Sequence, residues 1–241
     1  GEVLMSCTVQ ECLERCREMI DRDEKYPCKD MGNGKVRAVG VGVSMQGSGI
    51  SGVDVGSVTI RVSDEGHYNL MIGAADMGTG CDTTLAQIAA DCLDCDVDDI
   101  IVYGVDTDIS PYDSGSYASS TLYVTGNAVI KACDKLKKKI CSIGARILNV
   151  EETSVDFDGI AVFVRDDETK RISLKDISTA NMCGCEIDLE AGASHSSPTS
   201  PPPFMVGMAE VEIDLETGKI DLVDYVGCVD CGTPINPALV R

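Results

Sequence analysis

Apolar residues recur along this chain with two periods, three-to-four and two, and the period decides the element. From residue 9 the apolar positions fall at helical spacing, and Thr8-Val-Gln-Glu11 in front of them has the spacing of a capping box, so a helix is expected to about Asp23. YPCKDMGNGK then reads as a linker. Alternation predicts a strand from Val36 to Met45 and, after the bend GSGISG, a hairpin. Val58, Ile60 and Val62 precede its turn SDEG, and Tyr68, Leu70 and Ile72 follow it. GAADMGTGCDTTLAQIAADCL carries the chain through a glycine turn into an amphipathic helix, and Ile100 to Tyr103 makes a short buried strand.

DTDISPYDSGSYASS has no apolar period and is dense in Asp, Ser, Gly and Pro, which makes it a loop. A long helix is expected from about Ser116 to Asn149, striped by Leu122, Gly126, Val129, Cys133, Leu136, Ile140, Ile143 and Ile147, with Gly126 allowing another element to approach closely. Beyond it come short strands (154–156, 161–164), a small helix after Ser173 and the loop GASHSSPTSPPP. A last hairpin, Ala209 to Leu215 and Lys219 to Cys228, turns at ETGK. Strands and helices interleave without a regular strand-helix-strand repeat, which favours an α+β fold with mixed or antiparallel sheets and packed helices. Residues 1–35 read as a helical lead-in and linker, and 36–241 as the main domain.

Composition narrows the classes of partner. The 241 residues are 44% hydrophobic and 25% charged, enough for a real core, and 40 acidic against 20 basic residues give a net charge of -20. That charge argues against nucleic acid or an anionic membrane surface. No apolar run is long enough to span a bilayer and the first residues are acidic, so a soluble, cytoplasmic protein is expected. The basic run KLKKK at 135–139 reads as a solvated helix face.

Thirteen cysteines without a secretion signal suggest reduced thiols. Cys92-Leu-Asp-Cys95 and Cys228-Val-Asp-Cys231 have metal-ligand spacing, but Cys12, Cys16, Cys92 and Cys133 continue helical stripes and read as packing residues. His67 and His195 stand apart with no ligand pattern beside them, so no metal on protein ligands is expected, and no nucleophile turn supports a Ser-His-Asp site.

The glycine turn is the first place with ligand chemistry. Asp82 or Thr83 is placed to cap the helix carrying Leu85, Ile88 and Cys92, while Gly78 and Gly80 permit left-handed backbone and leave amides uncovered. Unpaired amides and the positive helix end suit an anionic or carbonyl-rich ligand; a plain tight turn is the other possibility. The spacing is neither that of a P-loop nor of a dinucleotide fingerprint. SGSYASST makes a second helix start with amides and the hydroxyls of Ser119, Ser120 and Thr121. Two such helix mouths suit a flat, phosphate-bearing cofactor.

GAADMGTGCDTTLAQIAADCL, DTDISPYDSGSYASSTLYVTGNAVIKA and VGCVDCGTPINP, in that order, resemble the molybdopterin-binding large subunit of the xanthine dehydrogenase and aldehyde oxidase family of molybdenum hydroxylases. The branch with Gly-Ser-Tyr-x-Ser, found among bacterial xanthine dehydrogenases and nicotinate dehydrogenases, is nearest. The resemblance implies that Met77, Gly78 and Thr79 hold the pterin, and that Ala118, Ser119, Ser120 and Thr121 contact the pterin and its phosphate. It implies hydroxylation of an electron-poor carbon of a small heterocycle or aldehyde with water, and places iron-sulfur clusters and FAD on other domains or subunits. This chain has Thr79 where the family commonly has Gln, and Ser120 where this branch commonly has Arg. The Gly-Glu-Pro motif whose Glu is the family's base is not in it, nor is the upstream glycine-rich loop with Phe. The expectation is a part of the large subunit with no catalytic residue of its own. Its partners would be the rest of that subunit and the iron-sulfur and flavin subunits; alone it would self-associate and be inactive. A non-catalytic structural or assembly module with the same fold is the alternative, and a thiol or zinc protein a further one.

Overall fold

The computed structural model describes residue 4, residues 6–182 and residues 188–240. The chain opens with α1 (Val9–Met19), α2 (Arg22–Lys25), β1 (Lys29–Gly32), β2 (Lys35–Met45), β3 (Gly56–Val62) and β4 (Tyr68–Ile72). α3 (Cys81–Leu93), β5 (Ile100–Gly104), α4 (Thr121–Leu148), β6 (Val155–Phe157), β7 (Ala161–Val164) and β8 (Asp167–Ser173) follow. The last elements are α5 (Leu174–Met182), β9 (Glu190–His195), β10 (Phe204–Asp214) and β11 (Ile220–Asp230). The α+β class expected from the sequence is the class observed, and the described residues form one mixed and two antiparallel sheets.

Contacts divide the chain into two compact units, one from 1–48 and 201–234, the other from 49–200 and 235–241. Residues before 36, read from the sequence as a lead-in, therefore pack with strands from the far end of the chain. In this first unit the sheet order is β1-β2-β10-β11, antiparallel throughout. Cys12, Cys16 and Ile20 pack α1 onto Val39, Val206 and Met208, whereas Met19 is exposed. The capping box does not form, because the Thr8 hydroxyl donates to Asp230 Oδ2 at 2.7 Å instead of accepting from the helix. Part of the expected linker is a hairpin: Gly32 pairs with Lys35, and Asn33 and Gly34 between them both have positive φ (53° and 75°), the two-residue turn that Asn-Gly favours. β10 begins at Phe204, five residues before the expected strand, with Phe204, Val206 and Met208 buried in alternation.

The larger unit holds the mixed sheet in the order β5-β4-β3-β9. β4 and β5 run parallel because α3 returns the chain between them. α4 packs along β3, β9 and α3. Val58, Ile60, Leu70, Ile72, Leu85, Val129, Leu136 and Ile140 share the core between them. A Cβ on Gly126 would lie 3.1 Å from Ile88 Cδ1, and one on Gly144 would lie 2.7 Å from Val162 Cβ, so these two glycines set how closely α4 meets α3 and β7. Leu122 and Ile147, counted in the helical stripe, are exposed at its two ends.

Three expectations change here. GASH is strand β9, which the polar sequence hides because Ala191 to His195 pair with β3 and Ser57 hydrogen-bonds Ser194. β8, too polar to read, pairs with β7 in the small sheet β6-β7-β8. Lys135 and Lys139 of the basic run do not simply meet water: they donate to the Gly192, Asp188 and Glu190 carbonyls and cover the outer edge of β9. Among the described residues, no helix is long and apolar enough to cross a membrane.

Candidate functional site

Both loops singled out in the sequence lie in the larger unit, and the structure joins them. β4 runs on through Gly73, where a Cβ would come within 2.3 Å of Pro111 O and 2.7 Å of Asp113 Cβ, so only glycine lets the second loop cross here. Two residues further, Ala75 N donates to Ser116 Oγ at 3.0 Å, and the Ser116 hydroxyl donates to Ala75 O at 2.7 Å. One hydroxyl thus fastens the end of the glycine turn's strand to the start of the second loop.

The glycine turn is built around a carboxylate. Asp76 Oδ1 accepts the amides of Gly78 at 2.8 Å and Gly80 at 3.1 Å. These amides, the Gly78 one foremost, hold the Asp76 carboxyl below its ordinary range, with the Thr79 and Asp82 amides adding to the effect. Gly78 and Gly80 have φ of 98° and 71°, which brings successive amides round one acceptor. The amides read from the sequence as uncovered are therefore engaged at Gly78 and Gly80. Neither Asp82 nor Thr83 caps the helix: Gly80 is the N-cap residue, with no side-chain cap. Met77, Gly78 and Thr79 are exposed. Nothing lies within 4 Å of where a Cβ would stand on Gly78 or Gly80, so the turn has open space beside it.

The second loop is held from beneath by Asp54, which is 1% exposed. Its carboxylate accepts the Tyr117 hydroxyl at 2.5 Å and the Ile50 amide at 2.7 Å. That bond raises the Tyr117 phenol above its usual range. Gly49 N donates to Ala118 O at 2.8 Å. So anchored, Ala118 and Ser119 take left-handed φ of 49° and 57°, and α4 starts at Thr121 rather than at Ser116. Ser120 faces inward: it is buried, and its amide and hydroxyl both donate to Tyr117 O, at 3.0 and 2.8 Å. The N-cap residue Ser120 makes no side-chain cap to α4, a helix of 28 residues, and the positive end of the helix dipole lies at this loop. The sequence has no Lys or Arg between Arg61 and Lys131, so neither loop carries a basic side chain of its own.

Sequence reasoning found both loops and missed their supports. Asp76 carried a readable signal, since Asp-x-Gly is the spacing at which a carboxylate accepts an amide two residues on. The Asp54–Tyr117 and Ser116–Ala75 bonds carried none, because their partners are distant in the chain. Among the described residues, one set of possible metal ligands lies close together: Asp76, Cys81 and Asp82, with ligand atoms within 4.8 Å of one another. Asp76 is already engaged by the turn, and burial, followed by the Asp82 charge, pushes the Cys81 thiol up to about 11. That arrangement favours a thiol over a metal-binding thiolate.

The larger unit is thus a mixed-sheet α+β unit in which two helix-start loops, neither with a side-chain cap from its N-cap residue, are stitched together. The chain belongs to the molybdopterin cofactor-binding domain family, whose profile matches residues 15–241. It is 34% identical over 236 residues to the probable hypoxanthine oxidase XdhD of Escherichia coli (strain K12), covering 97% of this chain and 24% of that one. It is 31% identical over 189 residues to the carbon monoxide dehydrogenase large chain of Afipia carboxidovorans, covering 77% and 23%. Among solved structures, reconstituted CO dehydrogenase from Oligotropha carboxidovorans superposes with a TM-score of 0.83 at 26% identity, covering all of this chain and 32% of that one. Quinoline 2-oxidoreductase from Pseudomonas putida 86 shares the fold with the same TM-score, 0.83, at 24% identity. The chain spans 24% of the length of the first of these curated relatives and 23% of the second.

Proposed function

We propose that this chain is part of the molybdopterin-binding subunit of a xanthine dehydrogenase-like molybdenum hydroxylase, an oxidoreductase that hydroxylates an electron-poor carbon of a heterocycle or aldehyde with water. The observation that carries the proposal is the fastening of the glycine turn to the second loop through Ser116 and Ala75, because it brings together two loops that a single ligand could bridge. Family membership supports the cofactor, and the names of the relatives support the reaction class. A purine substrate, a cytoplasmic location and partner subunits carrying iron-sulfur clusters and FAD belong to the same proposal, as does a larger subunit of which this chain is a part.

The residues present fit the cofactor by backbone and hydroxyl groups. Met77, Gly78 and Thr79 would face the pterin from the open side of the turn. Ala118, Ser119 and Thr121, with the first amides of α4, would hold the pterin and its phosphate. Ser120 contributes shape, since its amide and hydroxyl are already used within the loop. Molybdopterin would supply the two-electron redox chemistry. This chain's part is to bind and orient: Asp76 fixes the turn, and Asp54 through Tyr117 fixes the second loop.

One observation favours the second reading, a structural or assembly module that has kept the fold: the Gly78 and Gly80 amides are spent on Asp76 and no basic side chain stands in either loop. Gly78→Val in the full-length subunit separates the two. A branched side chain would fill the open space beside the turn and would have to adopt the left-handed backbone, at a cost of about 1 to 2 kcal/mol. Molybdenum and pterin content, read by elemental analysis and by fluorescence after oxidation, should fall while the circular dichroism spectrum persists. Unchanged occupancy would remove this turn from the cofactor site, whereas a wild-type subunit that itself carries no molybdenum would favour the structural module.

A further inference from the structure

The Ser/Pro loop after β9 and the glycine bend before β3 meet in the larger unit, although Ser200 lies 151 residues beyond Gly49 in the chain. Gly52 N donates to Ser197 O at 2.8 Å, and the Ser51 hydroxyl donates to Pro198 O at 2.5 Å. The Ser200 hydroxyl donates to Gly49 O at 2.6 Å. On its other side the Ser/Pro loop reaches the first turn of α4, where the buried Ser197 hydroxyl donates to the Tyr123 hydroxyl oxygen at 3.0 Å.

Gly49 is the point at which this brace touches the second loop. Its amide donates to Ala118 O at 2.8 Å, its carbonyl takes the Ser200 hydroxyl, and the next amide, that of Ile50, is held by Asp54 at 2.7 Å. Its φ of 83° is one that L side chains rarely adopt, and a Cβ here would stand 3.2 Å from both Asp54 Oδ2 and Val124 Cγ2. A side chain at 49 would therefore be strained and would press on the Asp54 support and on the start of α4. Ala118 and Ser119, next to the carbonyl that Gly49 grips, hold left-handed φ of 49° and 57°. For residues other than glycine such backbone persists only where the surroundings over-determine it.

We propose that Ser200 and Gly49 are positioning residues for the second loop: the Ser200 hydroxyl fixes Gly49, and Gly49 through the Ala118 carbonyl fixes the left-handed pair offered to the cofactor. The inference rests on the reading of that loop as a cofactor contact. It gives the Ser/Pro loop a task, which is to keep the cradle in its bound shape before the cofactor arrives, so that less ordering has to be made good on binding.

The test compares the full-length subunit with its Ser200→Ala, Ser200→Thr and Gly49→Ala variants by hydrogen–deuterium exchange and by pterin retention through gel filtration. Loss of one hydroxyl hydrogen bond in Ser200→Ala should speed exchange in peptides covering 49–52 and 116–124 by about two- to tenfold and leave β4 at the wild-type rate. Pterin should leave the subunit faster by a similar factor. Ser200→Thr, which keeps the hydroxyl, should restore both, and Gly49→Ala should exceed Ser200→Ala in both. Wild-type exchange at 116–124 in Ser200→Ala, faster exchange spread equally into β4, or no rescue by threonine would each overturn the proposal. Faster exchange with unchanged pterin retention, or a wild-type subunit that carries no pterin, would instead overturn the reading of the second loop as a cofactor contact, and the positioning role with it.

Discussion

At the scale of single residues, the candidate site depends on carboxylates that bind backbone. Asp76 gathers the amides of its own turn, and Asp54 receives Tyr117 and Ile50. Because the amides lower the Asp76 pKa in the folded state, its contribution to stability is present above the ordinary carboxylate range and is lost as pH falls through the folded pKa. The turn should therefore loosen on the acid side of about pH 4, the ordinary Asp value. NMR shifts of the Gly78 and Gly80 amides would follow it, and Asp76→Asn should move those shifts at neutral pH. Shifts that stay constant through the acid range would remove Asp76 from its place in the turn.

Elements in this protein meet through small residues, and two glycines of α4 separate two kinds of contact. A Cβ on Gly144 would strike the branched Val162 side chain at 2.7 Å, at its Cβ, where the strand backbone must move with it. A Cβ on Gly126 would meet Ile88 at 3.1 Å, at the tip of a flexible side chain. Alanine in place of glycine favours a helix by about 1 kcal/mol. Overpacking typically costs about 1 to 3 kcal/mol. Gly144→Ala should thus lower stability by up to about 2 kcal/mol net, whereas Gly126→Ala should come out near neutral or slightly stabilising, both read from denaturant midpoints. Equal losses at the two positions would show that the freedom of the neighbouring side chain does not set the cost. The elements readable in the sequence were those with a strong period: the alternation of Val58 to Val62 and the stripe from Val129 to Ile143 both face the core. β8 and β9 were not readable, because one carries four charged residues in DETKRIS and the other small and polar ones in EAGASH, and both exist only through their partners.

At the scale of the whole molecule, each of the two units has its own hydrophobic cluster, and large apolar side chains remain exposed in both. Val41, Val43, Met45, Ile220, Leu222 and Val229 stand exposed on the first unit, and Met77, Tyr112 and Leu122 on the second. The relatives by which the family is recognised are several times longer than this chain. The 241-residue chain expressed by itself is expected to fold, to self-associate through this apolar surface, and to show neither turnover nor retained pterin. Light scattering, an assay with xanthine, nicotinate and an aromatic aldehyde plus an artificial electron acceptor, and pterin fluorescence would check this. Turnover in that chain would place the complete catalytic unit within it.

The sequence by itself determined the α+β class, the two loops and the strongly periodic helices and strands, because these depend on local spacing: apolar period, glycine at left-handed positions, hydroxyls at a helix start. It also carried the family, since three motifs appear in order. Only the tertiary structure decided which donors are already used, because Asp54 reaches Tyr117, Thr8 reaches Asp230 and Ser116 reaches Ala75 across long stretches of chain. It also decided that the first helix packs with the last two strands. A hydrogen bond between distant residues leaves no period behind it. It exists only once hydrophobic burial has brought the elements together.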